Sequence, residues 1–300
     1  MVKCFIVLGY KKAPKLQIVR EYALQNNIRI HKWPLDKEKF DIFYKFDLGI
    51  VVSFGYFIPA EIINNFPCGA INVHPSLLPR WRGPSPIAHT ILQGDTETGV
   101  SVIELSPKKF DAGKILTQEK IQISPHQTYE DLKEELSELA SNTLLDVLMN
   151  LTALRRSAVA QDKTKVTQAP KLSKTIGYIR WSEHTCEDIL RLHKAIGNRF
   201  GLKCKWKGKI VKLETFTGCE DDKELTRTQV NADFGQFFYD SDNNVLYIKC
   251  KDGWIGCLSL RLEYRKSMSA KEFVNGYVVH KQTGEINFSR FEDMINDSNE

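Results

Sequence analysis

Alternation of short apolar runs with polar or amphipathic stretches through the first half of the chain restricts its fold more than any other feature. VKCFIVLG (2–9), IRIHKWP (28–34) and DLGIVVSFG (47–55) read as strands, and LQIVREYALQNN (16–27) reads as a helix. GAINVHPS (69–76) and GVSVIEL (99–105) continue the series as strands, separated by a segment from Pro86 to Gly94 that can form a short helix closed by glycine. Strand, helix and strand repeated in this way predict an α/β domain built on a parallel sheet with covering helices.

A long helix is expected from Thr128, with Leu132, Leu136, Leu139, Ala140, Val147 and Leu148 on one face and Thr128 and Asp131 as its cap. The periodicity then fails in TALRRSAVAQDKTKVTQAPKLSK (152–174), which is polar and basic. This places a first domain at 1–151, a basic linker at 152–175 and a second domain at 176–300. Residues Glu187 to Ala195 read as a helix, and GKIVKLETF (208–216), NNVLYIKC (243–250) and GWIGCLSLRLEY (253–264) as short strands of a small β-rich barrel.

Several classes are excluded. The seven cysteines are scattered without a C-x-x-C pair or zinc-ligand spacing, so they read as reduced thiols of an intracellular compartment and no metal is expected. No apolar run reaches the roughly 18 residues of a membrane helix, and no membrane partner is expected. The opening residues match neither a signal peptide nor an amphipathic presequence, so any address lies outside this chain. Without a G-x-G-x-x-G or Walker sequence, a nicotinamide or nucleotide cofactor is not expected. The formal charge of +5 is mild, yet RLHKAIGNRFGLKCKWKGKIVK (191–212) gathers Arg191, Lys194, Arg199, Lys203, Lys205, Lys207, Lys209 and Lys212 with no acidic residue. That run suits a nucleic-acid backbone or a solvated hairpin face.

Chemistry concentrates in INVHPSLLPRWRG (71–83). Asn72 and His74, two apart on a strand, point to one side. An amide can donate to a developing oxyanion, and an imidazole can donate to it or move a proton, so the pair suits attack on a carbonyl. The spacing alone equally fits a capped strand end with a satisfied histidine. Asp111, in a loop before Ala112 and Gly113, can orient His74 or simply make a turn. Arg80 and Arg82 flank an exposed-looking Trp81, a pattern for an acidic or stacked partner or for a cation–π cluster.

SFGYFIP (53–59), INVHPSLLPRWRGPSPI (71–87), GDTETGVSVIEL (94–105) and KKFDAG (108–113) together resemble the formyltransferase family that uses 10-formyltetrahydrofolate. APKLSKTIGYIRWSEHTCEDILRLHKAIG and KSMSAKEFVNG resemble the carboxyl-terminal domain of the branch that acts on methionyl-tRNA. The resemblance implies a Rossmann-like formyltransferase domain with a parallel-rich sheet, followed by a smaller, OB-like barrel. It implies Asn72, His74 and Asp111 as the catalytic trio. Folate contacts are expected at Phe54, Gly55, Tyr56, Ile58, Pro59 and Ser76. Contacts to initiator methionyl-tRNA are expected at Arg80, Arg82, Lys171, Lys174, Arg191, Lys194, Lys203, Lys205, Lys207 and Lys209.

NVHPS, WRGPSPI and KKFD look more like the animal mitochondrial branch than the bacterial one, a resemblance that implies the mitochondrial matrix, and a monomer is expected. Against the family pattern the chain opens at the second strand, so the first domain is expected to be amino-terminally incomplete. A truncated, inactive isoform that keeps a tRNA-binding module is therefore an open alternative, as is another enzyme using formyltetrahydrofolate.

Overall fold

The computed structural model describes residues 5–9, 15–34, 45–220, 232–278 and 289–294. Contacts divide the chain into two units, the first made of Met1–Thr90, Thr96–Ser124 and Glu130–Lys171, and the second of Ile91–Asp95, Pro125–Tyr129 and Leu172–Glu300.

In the first unit β1 (Phe5–Gly9), α1 (Lys15–Gln25) and β2 (Arg29–Trp33) form a βαβ unit whose two strands pair in parallel. A separate four-stranded sheet has the order β3 (Gly49–Val52), β4 (Ala70–His74), β5 (Glu97–Glu104), β6 (Ile115–Gln122). The short helices α2 (Ala60–Ile63) and α3 (Pro86–Leu92) lie in the connections before and after β4. Strands β3 and β4 are parallel, whereas β5 and β6 each run antiparallel to their predecessor. The sheet is therefore mixed rather than parallel throughout. A run of apolar residues gives a strand's existence but not its sense, and the short link from β5 to β6 allows only a hairpin.

Helix α4 (Tyr129–Arg156) buries Leu132, Leu136, Thr143 and Val147, with the Thr143 hydroxyl donating to the Leu139 carbonyl at 2.8 Å. Leu148, expected on that face, is 40% exposed. The helix continues into the stretch expected as a linker. Beyond its end the chain forms a strap on the same unit: Val159 pairs with Ile115 and Gln168 with Arg82.

The second unit begins with α5 (Cys186–Ile196), started by a reciprocal capping box between Thr185 and Asp188. Strands β7 (Leu202–Trp206) and β8 (Lys209–Glu220) form a hairpin whose two turn residues, Lys207 and Gly208, have φ of +49° and +73°. Two successive positive φ values match the twist of the flanking strands. Then come β9 (Phe237–Asp240), β10 (Val245–Lys249), β11 (Trp254–Leu262), the short β12 (Met268–Ser269) and α6 (Ala270–Phe273).

The sheet order is β7-β8-β11-β10-β9, with β12 on β11. Its two edges are joined by the segment 289–294, which bridges from Glu292 to Lys205 beside β7 and from Arg290 to Gln236 beside β9. The strands thereby close into a barrel, and the edges that an open sheet would expose are paired. Phe291, 1% exposed, stacks among Trp181, Phe237 and Phe273 with centroids 4.7–6.3 Å apart.

Phe291→Ala should remove both the aromatic seal and its apolar burial. The expected loss is about 3–5 kcal/mol in urea unfolding, with red-shifted emission from Trp181. A loss below about 1 kcal/mol would show that the segment 289–294 does not hold the barrel closed.

Candidate active site

Every residue of β4 is buried, Asn72 and His74 included. Polar side chains in such a strand need partners. One carboxylate supplies them: the Asn72 amide Nδ2 donates to Asp111 Oδ1 at 3.1 Å, and His74 Nδ1 lies 3.6 Å from the same oxygen. Asp111 Oδ2 accepts from the Gly83 backbone N–H at 2.9 Å. The other ring nitrogen of His74, Nε2, donates to the Trp81 carbonyl at 2.9 Å.

Asp111 itself sits at φ +50°, in the left-handed region that a non-glycine residue occupies at a cost of about 1–2 kcal/mol. The strap fixes that conformation. Gln161 Nε2 donates to the carbonyls of Asp111 (2.9 Å) and Gly113 (2.8 Å), while its Oε1 accepts from Arg82 Nε (2.9 Å) and Nη2 (2.6 Å). Gly113 permits a close approach, because a Cβ there would stand 1.7 Å from the Glu104 carbonyl oxygen. Burial lowers the Arg82 guanidinium from its ordinary pKa, and the nearby Asp111 charge opposes that shift.

Two sequence expectations change here. Trp81 is buried, stacked on His89 at 5.6 Å and covered by Arg80 at 4.4 Å. Its backbone N–H donates to Thr167 Oγ1 at 2.9 Å, a partner 86 residues away that the flanking arginines and prolines do not announce. Ser76, expected among folate contacts, is fully buried, with its hydroxyl donating to the Arg80 carbonyl at 2.7 Å and its own carbonyl accepting from Ser101. It shapes the loop and presents no hydroxyl outward.

The loop after β3 carries two aromatic groups that diverge. Phe54 and Tyr56 gather around Trp33 with centroids 5.4–6.4 Å apart. Phe57 turns instead to Phe110, the neighbour of Asp111, at 5.3 Å. Gly55 is exposed, Ile58 is half-buried, and Pro59 is the N-cap of α2.

The basic residues divide similarly. Arg82 is committed to Gln161. Arg191 pairs with Glu187 at 3.0 Å, and Lys194 donates to the Pro125 carbonyl at 2.7 Å, both within the second unit. Arg80, Lys171, Lys174, Lys207 and Lys209 are exposed, and Lys203 and Lys205 alternate outward along β7. Sequence reasoning missed Gln161, which lies in an aperiodic stretch and acquires its role only through the pairing of Val159 with Ile115. Among the described residues, no group of three or more His, Cys, Asp or Glu side chains is arranged to hold a metal ion, and no helix is long and apolar enough to cross a membrane.

A buried Asn-x-His strand end closed by a loop aspartate in an α/β unit, followed by a β-barrel, defines a recognisable class. Residues 7–148 match the formyl transferase family and residues 171–278 match the formyl transferase C-terminal domain; the chain belongs to this family. Among curated relatives it is 41% identical over 271 residues to mouse mitochondrial methionyl-tRNA formyltransferase, covering 89% of this chain and 68% of that one. Identity to the human counterpart is 40%, covering 92% and 70%. The methionyl-tRNA formyltransferase of Caldicellulosiruptor saccharolyticus is 32% identical, covering 88% and 83%.

Among solved structures, HypX from Aquifex aeolicus in complex with tetrahydrofolic acid aligns with TM-score 0.60 at 18% identity, over 95% of this chain and 50% of HypX. The sugar 3N-formyl transferase WlaRD aligns with TM-score 0.60 at 18% identity, over 87% and 88%. These two likenesses concern the fold alone.

Removing Gln161 should loosen the backbone of Asp111 while Asn72, His74 and Asp111 themselves stay unaltered in the sequence. Gln161→Ala leaves two carbonyls and the Arg82 guanidinium short of partners and is expected to cost about 1–3 kcal/mol in chemical denaturation. Gln161→Glu keeps the acceptor for Arg82 but loses both donors, so it should recover only part of the loss. Stability equal to the parent in both variants would remove the strap from the account of the site.

Proposed function

We propose that this chain transfers the formyl group of 10-formyltetrahydrofolate to the α-amino group of methionine esterified to initiator tRNA. The observation that carries the reading is the meeting of Asn72 and His74 on one oxygen of Asp111, at 3.1 and 3.6 Å, beyond a buried strand. The names of the relatives support the choice of acceptor, and the mitochondrial ones among them support residence in the mitochondrion.

The chemistry derives from the groups present. Free α-amines have a pKa of about 7.7–8.0, so a neutral fraction exists without a strong base. The amine nitrogen bonds to the formyl carbon, the carbonyl oxygen takes up negative charge, and the bond from carbon to N10 of the folate then breaks. Asn72 Nδ2 carries two N–H groups; one holds Asp111 and the other is available to the oxyanion. A preorganised donor of this kind typically contributes about 3–4 kcal/mol. The proton lost by the attacking nitrogen must reach N10, and Asp111 assists that transfer while holding His74 in place, a role worth about 10²- to 10⁴-fold in typical cases.

Folate contacts are assigned to Phe54, Gly55, Tyr56, Ile58 and Pro59, supported by the exposed glycine between two clustered aromatics. Phosphate contacts are assigned to Arg80, Lys171, Lys174, Lys203, Lys205, Lys207 and Lys209, whereas Arg82, Arg191 and Lys194 already hold partners within the chain.

The test is formylation of charged initiator tRNA with 10-formyltetrahydrofolate. Asn72→Ala, His74→Ala and Asp111→Ala should each lower turnover at least about a hundredfold while tRNA affinity stays nearly unchanged. Near-parental turnover in Asn72→Ala or His74→Ala would sink the assignment. Replacing Lys203, Lys205, Lys207 and Lys209 with glutamine should weaken tRNA binding and flatten its salt dependence, leaving folate affinity alone. An unchanged salt slope would return the β7–β8 hairpin to being a solvated face.

A further inference from the structure

Lys203 on β7 pairs directly with Lys212 on β8, and Lys212 pairs in turn with Arg261 on β11. Directly opposed residues of antiparallel strands share a face. Their chain neighbours Leu202, Cys204, Val211, Leu213, Leu260 and Leu262 are buried, so the three cations lie in one row on the outer face of the barrel. Like charges opposite one another destabilise a sheet. Only Arg261 has a carboxylate partner among the described residues, Glu214 at 2.9 Å.

The row leads to a turn of unusual character. Tyr264, just past β11, is 97% exposed and sits at φ +60°, a conformation unfavourable for a bulky residue. The turn is pinned at both sides, by the Glu263 N–H donating to the Ile210 carbonyl at 2.9 Å and the Arg265 N–H donating to the Leu262 carbonyl at 3.0 Å. Lys212, Arg261, Glu263, Tyr264 and Arg265 share an open depression of about 300 Å³. A solvent-facing ring on a pinned turn of backbone, beside a row of cations, combines what a single-stranded nucleic acid requires: positive charge for the backbone and a flat surface for a base. Glu263, which lines the depression, suits the exocyclic amine of a base better than a phosphate.

We propose that the Lys203–Lys212–Arg261 row and Tyr264 form a binding site for an unpaired stretch of RNA, with the phosphates along the row and one base stacked on Tyr264. The site adds Lys212, Arg261 and Tyr264 to the surface assigned above and rests on the reading of the second unit as RNA-binding.

The test is fluorescence anisotropy of the full chain with labelled initiator tRNA and a labelled single-stranded oligoribonucleotide, across a salt series. Tyr264→Ala should weaken binding of both by about fivefold or more, as alanine replacement of a stacking ring does, and Tyr264→Phe should retain parental affinity. Lys212→Gln should lower the salt slope by about 0.7–0.9. Because Tyr264 is almost fully exposed, both of its variants should melt as the parent does. Parental affinity in Tyr264→Ala together with an unchanged slope in Lys212→Gln overturns the site, as does a loss in Tyr264→Phe equal to that in Tyr264→Ala. Formylation measured on the same parental preparation separates the two readings. A chain that formylates while both variants bind normally keeps the activity and loses this site, and a chain that binds RNA through Tyr264 without formylating keeps this site and loses the activity.

Discussion

The Asp111 carboxylate is the junction on which the first unit's candidate site is assembled. A buried charge is costly unless hydrogen-bonded or paired, and here two oxygens receive the Asn72 amide, the Gly83 N–H and the approach of His74. Three separated parts of the chain are fastened at one point. The left-handed backbone at Asp111 persists because Gln161 grips its carbonyl from the strap, so the strain is held by structure outside the loop. The position of Asn72 and His74 thus has one cause: both are drawn to the carboxylate that must be satisfied.

How much of this was legible in the sequence depended on range. The two-residue spacing of Asn72 and His74 on an apolar strand is a local fact, and it correctly put both side chains on one side. The chain's motifs named Asp111 by resemblance. Trp81 misled because its neighbours are arginines and prolines, whereas its burial is decided by Thr167 and His89. Gln161 was invisible for a related reason: nothing in a polar, aperiodic stretch reveals that it will lie beside β6. The sense of β5 and β6 was hidden as well, since apolar periodicity is the same in either direction.

Charge is distributed in two different ways. In the first unit Arg82 is drawn inward and its guanidinium is satisfied by hydrogen bonds to one glutamine, which makes it a strut. In the second unit cations of β7, β8 and β11 are aligned against their own repulsion. The barrel tolerates this because its apolar face, not its charged one, supplies the cohesion. Binding of an anion would relieve the repulsion, so affinity and stability of the second unit should rise together.

Closure of the barrel by residues 289–294 also sets an order in time. Lys205 meets Glu292, a partner far along the chain, and contacts of long sequence separation form slowly because the intervening loop must first be closed. During synthesis the strands from β7 to β11 are available well before the residues that join their edges. Until residues 289–294 have been made, the two edges they bridge lack the partner that closes them.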